Sequence, residues 1–331
     1  MDLSIIIINY NSAELVMECI KTIQEETYLS NKEIIVVDNN SKDNSKSLII
    51  DAFPFVKWIQ MDYNSGFARA NNEGIRQSSS PVVLLLNGDT LIENKAIDKC
   101  YQEFVQDNYV ACGLQLLNPD RTPQISGNYL MKGGLNYLLP LPYLGQLFKS
   151  IALLSNVKKP NVPEAKDKID VDWVNGAFIM VKRSAIEKAG LMDEDFFLYA
   201  EEAEWCGRLR RIGKICIYGD YNVIHLQGET ANQEFQSTGK GYQNLFDKKG
   251  LQIMVSNLVR IRKQFGVGWF LFILSIFIID IPVFLIGYML SKLLLSKRYS
   301  FKNVKGFVRN ILFVVRLVPT IISNKPHFYK V

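Results

Sequence analysis

The sequence has no paired cysteine motif and very little histidine. Its five cysteines are scattered over 331 residues without a Cys-x-x-Cys pair, and only two histidines are present. These features indicate neither a zinc site nor a disulfide framework, and free cysteines are typical of a reducing cytosol. The N-terminus also lacks a basic segment followed by a long apolar run, so we expect the main domain to stay cytoplasmic.

Glycine-rich phosphate loops are missing as well. The polar turn after the first predicted strand is Asn9-Tyr10-Asn11-Ser12, which contains no glycine, and the pattern Gly-x4-Gly-Lys-Ser/Thr does not occur. Dinucleotide-binding folds and P-loop enzymes need such glycines because their backbone approaches a phosphate closely. A bound diphosphate would need another partner for its charge, and a metal ion held by a carboxylate is the simplest one.

Acidic residues are almost absent from the last quarter of the chain. Residues 251–331 contain 12 Lys/Arg and the single acid Asp280, a balance of +11, so residues 1–250 carry −6 of the total +5. A mildly acidic body with a basic, apolar tail favours an anionic membrane surface as a partner. Nucleic acid is not expected, because it would need basic residues interleaved with exposed aromatic ones on the main domain.

Polar clusters follow the predicted strands of the first ninety residues. The five apolar residues Val82–Leu86 end in Asn87-Gly88-Asp89-Thr90, and residues 9–12, 38–41 and 64–72 follow earlier strands in the same way. Strands that alternate with helices predict an α/β fold with a mostly parallel sheet flanked by helices. Right-handed crossovers place the four clusters at one edge of that sheet, where open α/β sheets bind ligands.

In order and spacing, these clusters resemble the motifs of glycosyltransferase family 2, and more narrowly a bacterial rhamnosyltransferase-like branch that builds surface polysaccharides. The segments that carry the resemblance are Ile5–Asn11, Val36–Asp43, Gly66–Asn72 and Leu85–Asp89. The resemblance covers residues 3–230 and implies a GT-A fold with a metal-holding Asp-x-Asp-type motif. We therefore expect a glycosyltransferase domain at 1–250, with a nucleotide-sugar half at about 1–120 and an acceptor half at about 170–240.

The resemblance also implies which side chains contact the donor. Those expected to do so are Asn9, Asn11, Asp38, Asn71, Asn72, Asn87 and Trp173. The first five would line the nucleoside pocket or lie near it, and Trp173 would lie beside the donor sugar and the acceptor. Asn87 stands where many members have Asp, and Gly88 replaces the proline common in this branch, so Asp89 is the one carboxylate of the motif.

Three acids, Glu201, Glu202 and Glu204, occur within four positions. The helix dipole favours acids in a first turn, which is a purely structural reason for such a cluster. Neighbouring residues on a helix point about 100° apart, so Glu201 and Glu202 do not share one role. In the resembled family the second acid is the catalytic base, which implies that Glu202 deprotonates the acceptor hydroxyl and that Glu204 supports it.

His225 begins His-Leu-Gln-Gly-Glu-Thr, which is similar to the family's His-x-x-Gly-x-Ser/Thr element. A lone histidine at a strand end is most often structural, but in that family it can join the metal or the diphosphate. A neutral imidazole is a suitable second protein ligand beside a single carboxylate. The resemblance therefore implies Mg²⁺ or Mn²⁺ on Asp89 and His225.

The tail at 251–331 is predicted to be helical and membrane-associated. Residues 266–290 are long and apolar enough to span a bilayer, yet basic residues flank both ends, which favours both flanks on the cytoplasmic side. Asp280-Ile281-Pro282 lies at the midpoint and predicts a kink. We expect a re-entrant or interfacial hairpin there, with a single span as the alternative, and an in-plane amphipathic helix over 301–322.

These features together predict an inverting glycosyltransferase at the cytoplasmic face of a membrane. The donor would be a nucleotide-diphosphate sugar, with dTDP-rhamnose suggested by the resembled branch, and the acceptor a saccharide or lipid-linked saccharide of surface polysaccharide synthesis. A nucleotidyltransferase is one alternative, although it usually carries a basic, glycine-rich loop near its N-terminus. A non-catalytic nucleotide-sugar-binding protein is the other, although it would not need the acids of 201–204.

Overall fold

The computed structural model describes residues 1–155, 157, 159–227, 230–237, 244–294 and 298–331. They form two compact units. The first unit comprises Met1–Tyr129, Asn161–Phe197 and Glu201–Thr230, and the second comprises Leu130–Pro160, Leu198–Ala200 and Ala231–Val331. The second unit therefore holds the predicted tail together with two segments from earlier in the chain.

Twelve strands lie in the described part of the chain. They are β1 Leu3–Asn9, β2 Lys32–Asp38, β3 Lys57–Gln60, β4 Val82–Asn87, β5 Thr90–Ile92, β6 Ala111–Leu117, β7 Gly127–Asn128, β8 Asn161–Val162, β9 Lys168–Val171, β10 Trp173–Val174, β11 Phe178–Lys182 and β12 Ile215–His225.

The α-helices of the described residues are α1 Ala13–Glu26, α2 Ser45–Ala52, α3 Gly66–Gln77, α4 Ala96–Gln106, α5 Leu144–Leu154, α6 Arg183–Ala189, α7 Glu201–Leu209, α8 Thr230–Phe235, α9 Lys248–Phe265, α10 Val267–Leu293 and α11 Phe301–Ser323. A 3-10 segment covers Lys132–Leu138.

The first unit is built on a nine-stranded sheet in the order β3-β2-β1-β4-β11-β6-β12-β5, with β9 also paired to β12. The strands β1 to β4 run parallel, and β11 is antiparallel to β4. Side chains on both faces of β1 and β4 are fully buried, which explains why these strands read as continuous apolar runs. The predicted α/β fold with a mostly parallel sheet is confirmed.

Two local features depart from regular geometry. The strand β12 has 11 residues and a register shift between Tyr218 and Asn222. Ser12 precedes α1, but its hydroxyl donates to Asn9 Oδ1 at 3.2 Å. The hydroxyl therefore belongs to the turn after β1 and leaves the helix end uncapped by a side chain.

The second unit is helical. Its helix α10 continues through Asp280 and Pro282 without interruption, so the hairpin break expected there is wrong. Apolar packing holds the helix together, since Phe277 and Phe284 are both buried. The expected amphipathic helix over 301–322 is confirmed as α11, and it begins with a capping box at Ser300. Both α10 (mean hydropathy 2.6) and α11 (1.5) are long and apolar enough to cross a membrane.

Candidate active site

The polar side chains at the C-terminal ends of β1 and β2 are held in place by hydrogen bonds to one another. Parallel pairing places Asn9 opposite Asp38, and Asn9 Nδ2 donates to Asp38 Oδ1 at 2.7 Å. The backbone N–H of Ser41 and the side-chain amide of Gln60 donate to Asp38 Oδ2 at 2.9 and 2.6 Å. Asn9 and Asp38 are buried. The Asp38 carboxylate is thus oriented by three hydrogen bonds from the protein itself.

Asn11 joins the turn after β1 to the turn after β2. Its backbone is left-handed (φ +49°), a conformation that asparagine adopts more readily than most residues. Its backbone N–H donates to Ser41 Oγ at 2.9 Å, and its Oδ1 accepts from the Lys42 N–H at 2.7 Å. The exposed turns at the two strand ends are therefore held at a fixed separation.

The next turn, before α3, is fixed in the same way. Asn39 Oδ1 accepts from the backbone N–H and the hydroxyl of Ser65, both at 2.8 Å. Gly66 has φ +77°, and a Cβ there would lie 2.1 Å from the Phe197 carbonyl oxygen. That carbonyl accepts from the Phe67 N–H at 2.8 Å. Only glycine fits this position, where the start of α3 meets the segment that precedes the acidic motif.

The side chains of Asn71 and Asn72 are buried and bonded within the protein. Asn71 Nδ2 donates to the Phe67 carbonyl at 3.0 Å. Asn72 Nδ2 donates to the Met192 carbonyl at 2.9 Å, and its Oδ1 accepts from the Met192 N–H at 3.0 Å. These bonds tie α3 to the main chain at 192. Both residues have a structural duty, and their place near the nucleoside stays a prediction.

The two expected metal ligands are neighbours. Antiparallel pairing of β5 with β12 sets His225 opposite Thr90 and brings His225 Nε2 to 3.4 Å from Asp89 Oδ1. The turn is tightly packed, because a Cβ on Gly88 would lie 2.6 Å from Val16 Cγ2. Glycine is needed there for the close approach to α1. Of the His225 element, Gly228 and Glu229 lie outside the described residues.

Gln124 sets the tautomer of His225. Its Nε2 donates to the carbonyls of His225 (2.7 Å) and Leu117 (3.2 Å) and to Asn118 Oδ1 (2.9 Å). Its Oε1 therefore faces His225 Nδ1, at 2.9 Å, and assigns the proton to Nδ1. In neutral imidazole the Nε2 lone pair then points towards the Asp89 carboxylate. Two acceptors in this arrangement suit a proton or a metal ion between them.

Cys19 lies beside this turn but is not a suitable ligand. Its Sγ lies 3.5 Å from Thr90 Oγ1 and 3.8 Å from the Asn87 carbonyl oxygen. Burial raises the pKa of its thiol to about 12, so it stays protonated, and thiols bind metals as thiolates. In the part of the chain that the structure describes, no group of three or more His, Cys, Asp or Glu side chains is placed to hold a metal.

The acids of α7 have separate environments. Glu201 and Glu204 are buried, whereas Glu202 is half-buried. Glu204 accepts from Arg208, four residues further along the helix, through both carboxylate oxygens at 2.8 to 3.0 Å. Arg208 also donates to the Ala189 carbonyl at 2.6 Å and so links α7 to the end of α6. Glu202 is therefore the most accessible of the three acids.

A tight turn over residues 175–177 packs on the end of β4. Asn175 Oδ1 accepts from the Ala177 N–H at 3.0 Å, and the Asn175 N–H donates to the Ser126 carbonyl at 2.9 Å. The Ala177 carbonyl in turn accepts from the Asn87 N–H at 3.0 Å. The turn is therefore fixed to the main chain just before Asp89.

The same turn borders Glu202. A Cβ on Gly176 would lie 4.0 Å from Glu202 Cβ and 3.7 Å from the Phe67 ring. The hydrogen on Gly176 leaves space in front of these side chains. The turn is thus bonded to the end of β4 through Asn87 and lies next to Glu202 through Gly176.

Trp173 lies close to these groups in sequence and in structure. It is half-buried in β10, opposite Asn128 of β7. Asp172, just before it, forms an ion pair with Arg210 at 2.8 Å, beyond the C-terminal end of α7. The pair holds the start of β10 near α7, and the Trp173 ring packs against the buried cluster that includes Trp205 and Leu209 of α7.

A family model decides the relationship. The model described as Glycosyl transferase family 2 matches residues 4–163. This stretch of the chain is a glycosyltransferase family 2 domain. The matched residues include the ends of β1, β2 and β4, where Asp38 and Asp89 lie.

Two curated proteins are similar to this chain over about three fifths of its length. The low-salt glycan biosynthesis hexosyltransferase Agl10 of Haloferax volcanii is 32% identical over 215 residues, covering 63% of this chain and 62% of the relative. The poly-β-1,6-N-acetyl-D-glucosamine synthase of Staphylococcus epidermidis is 24% identical over 205 residues, covering 61% and 45%. The chain thus matches less than two thirds of either relative's own length.

Solved structures share the fold. GalNAc-T7 with UDP, GalNAc and Mn²⁺ superimposes with a TM-score of 0.52 at 14% identity, covering 80% of this chain and 51% of that one. S. aureus TarS 1–349 with UDP gives a TM-score of 0.50 at 13% identity, covering 79% and 66%. The expected GT-A fold is confirmed.

Sequence reasoning missed several residues that fix this family 2 site. They are Asn39, Ser41, Gln124 and Arg210. Asn39 and Ser41 lie in the polar cluster at 38–41, so their position was a signal that could have been used. Gln124 and Arg210 carry no local signal, because their partners lie on other elements and come close only through strand pairing and helix packing.

Proposed function

We propose that this protein is an inverting glycosyltransferase that moves a sugar from a nucleotide-diphosphate donor to a hydroxyl of a saccharide acceptor. The observation that carries the proposal is the turn at 175–177. It is hydrogen-bonded to the main chain of Asn87, two residues before Asp89, and Gly176 lies next to Glu202. This supports a site in which Asp89 would help to hold the leaving diphosphate and Glu202 would accept the acceptor's proton.

The nucleoside would bind at the ends of β1 and β2. Asn9, Asn11 and Asp38 surround this position, and Asp38 is buried and held by three hydrogen bonds. A fixed carboxylate suits a ribose hydroxyl or a base N–H, because no rearrangement is needed on binding. Carboxyl ends of parallel strands are also the usual ligand edge of such sheets.

A divalent cation fits the residues at the β4 end. Asp89 Oδ1 and His225 Nε2 face each other as oxygen and nitrogen donors, a set that accepts Mg²⁺ or, better, Mn²⁺. With two protein ligands, the donor's diphosphate and water would complete the coordination. When bound, the cation would neutralise the charge that develops on the departing diphosphate.

Glu202 would act as the general base. Its carboxylate takes the proton from the acceptor hydroxyl as that oxygen bonds to the anomeric carbon, and the bond from this carbon to the diphosphate oxygen breaks. The electron pair leaves with the nucleoside diphosphate, and the proton stays on Glu202. One displacement inverts the anomeric centre, whereas retention by double displacement would need a second positioned nucleophile.

The identities of the donor and of the acceptor have weaker support than the reaction type. The resembled branch favours dTDP-rhamnose, while the relatives are named as a hexosyltransferase and an N-acetylglucosamine polymer synthase. The two structural neighbours hold UDP, so UDP-hexoses belong in the same test. The basic, apolar second unit favours a lipid-linked acceptor at the cytoplasmic face of a membrane.

A donor panel tests the proposal. The full chain in mild detergent or vesicles is offered UDP- and dTDP-sugars with and without Mn²⁺, and release of nucleoside diphosphate is measured before and after adding saccharide acceptors. We expect release with one donor class, dependent on the cation, and a product whose anomeric configuration by NMR is opposite to the donor's.

The panel also separates the two alternatives. Pyrophosphate release from a nucleoside triphosphate and a sugar phosphate would establish a nucleotidyltransferase in place of the proposed enzyme. Tight donor binding without any turnover, across acceptors and cations, would establish a nucleotide-sugar-binding protein. A product of retained configuration would overturn the role given to Glu202.

A further inference from the structure

The exposed face of α11 carries both bulky apolar and basic side chains. Phe301 is 60% exposed and Leu312 52% exposed, and Lys305, Arg309 and Arg316 are exposed on the same face. Residues spaced by three, four, seven or eleven positions lie on one side of a helix. This face is therefore neither a packed core nor an ordinary charged surface.

A groove of about 460 Å³ runs along this face. Its apolar lining consists of Leu285 of α10 and Phe301, Val304, Val308, Leu312 and Phe313 of α11. Lys305, Arg309 and Arg316 are its three charged lining residues. The groove thus has an apolar lining, and its charged lining residues are all cationic.

The spacing of the cations suits a phosphate. Lys305 and Arg309 are one helical turn apart, a rise of about 6 Å, and both sit within about 40° of each other around the helix. A single phosphate group is within reach of both side chains, and charge-assisted bonds from arginine to phosphate are strong. Arg316 lies nearly two turns further along the helix and adds a third cation to the same face.

The occupant needs an apolar part as well. On α10, Ile279, Leu285, Ile286 and Leu290 are each more than 40% exposed, and apolar exposure of this extent marks a contact surface. A second copy of the chain would bring a further +11 in residues 251–331 to this face, which opposes self-association here. Charge complementarity therefore favours an anionic lipid over another copy.

We propose that the α10–α11 groove binds one anionic phospholipid of the bilayer, with its phosphate on Lys305 and Arg309 and its acyl chain along Leu285, Val308 and Leu312. The proposal assigns a lipid site of defined residues to the helical unit. It rests on the membrane association proposed above, and it does not depend on the transfer reaction.

Native mass spectrometry of the full chain tests this site. The protein in mild detergent is offered phosphatidylglycerol or phosphatidylcholine of the same acyl length, with no donor present. We expect the wild type to retain one phosphatidylglycerol in preference to phosphatidylcholine. The double variant K305Q/R309Q should lose this preference, by about fivefold or more for each basic residue removed.

Two further variants separate a site from general electrostatics. K302Q/K325Q removes the same charge from exposed lysines outside the groove lining and should keep the retained lipid. Val308→Trp leaves the charge unchanged but fills the groove, so it should release the lipid. Circular dichroism and gel filtration show whether each variant is folded, and Val308→Trp keeps the test decisive if the double variant is not.

Several outcomes would overturn the proposal. Equal loss in K305Q/R309Q and K302Q/K325Q would mean diffuse attraction without a site. Equal retention by the wild type of the two lipids, which both carry a phosphate, would show that the groove does not recognise the net negative charge of the lipid. A dimer that Val308→Trp disperses would show that a second copy fills the groove. Because no donor is present, a failure here is distinguishable from a failure of glycosyl transfer.

Discussion

The strand-end region of the sheet and the α10–α11 region use polar side chains in opposite ways. At the strand ends, asparagine, serine and glutamine side chains hold each other and the carboxylate of Asp38 in place. Along α11, the cations Lys305, Arg309 and Arg316 stand on an apolar face. We propose that the first arrangement binds a small polar ligand and that the second binds an anionic lipid.

Within the strand-end region, Asp38 and Asp89 also differ. Asp38 receives three hydrogen bonds from fixed donors, whereas Asp89 faces the lone pair of His225 Nε2. A carboxylate held by donors is oriented before a ligand binds, and two facing acceptors are stabilised by a cation or a proton between them. We therefore expect Asp38 to contact the nucleoside and Asp89 to contact the metal ion.

The largest expected effect is that of Glu202→Gln. The amide cannot accept the acceptor's proton, so we expect kcat to fall by about 10²- to 10⁴-fold, while donor affinity by calorimetry changes little. The exposed Glu187→Gln on α6 is the matched charge control and should keep full activity. Near-normal turnover of Glu202→Gln would remove the general base from the mechanism.

Asp89→Asn should have the next largest effect. Loss of the charged ligand should weaken Mn²⁺ binding and lower activity by about 10²-fold or more, since metal catalysis is worth several kcal/mol. Raised Mn²⁺ should recover part of the activity. Donor binding in EDTA should be the same in variant and wild type, and full activity of both proteins in EDTA would contradict a metal at this position.

Asp38→Asn tests the role of the Asp38 carboxylate in donor binding. It replaces a charged acceptor of three hydrogen bonds by an amide, and bonds to a charged group are worth about 1.5–3 kcal/mol. We expect the KM for the donor to rise by about 10-fold or more, with metal dependence unchanged. A change in the Mn²⁺ concentration that gives maximal activity would show that Asp38 and Asp89 are coupled. The separate roles given to Asp38 and Asp89 would then be wrong.

Gln124→Leu should act through His225. It removes the bond that fixes the Nδ1–H tautomer, and loss of such a partner typically lowers metal affinity by about 10- to 100-fold. The activity at saturating Mn²⁺ should stay near that of the wild type, and the Mn²⁺ titration midpoint should rise. Equal losses at low and saturating Mn²⁺ would indicate misfolding, which a thermal melt would reveal independently.

Pro282→Ala should have the smallest effect, in the other region. Pro282 is exposed within the continuous helix α10, and proline costs up to about 3 kcal/mol relative to alanine in a helix interior. Replacement should raise the thermal midpoint of the helical unit and leave donor hydrolysis unchanged. A lower midpoint would show that a bend at this proline is needed.

Part of the site could be predicted from the sequence because its signals are local. The buried runs of β1, β2 and β4, the polar clusters at their ends and the acids of α7 are each contained within a few residues. The pairing of Glu204 with Arg208 followed from helical spacing alone. The break expected at Pro282 was wrong because apolar packing around Phe277 and Phe284 outweighs the cost of one missing hydrogen bond in α10.

By itself, the sequence determined the α/β class, the family resemblance and the division between an acidic body and a basic tail, since these depend on periodicity, motif order and charge count. Only the tertiary structure decided that His225 faces Asp89, that Gln124 orients it, and that the turn at 175–177 borders both Asp89's strand and Glu202. The physical reason is that these contacts arise from strand pairing and from helix packing. Pairing register and packing are properties of the whole sheet, and no short stretch of residues encodes them.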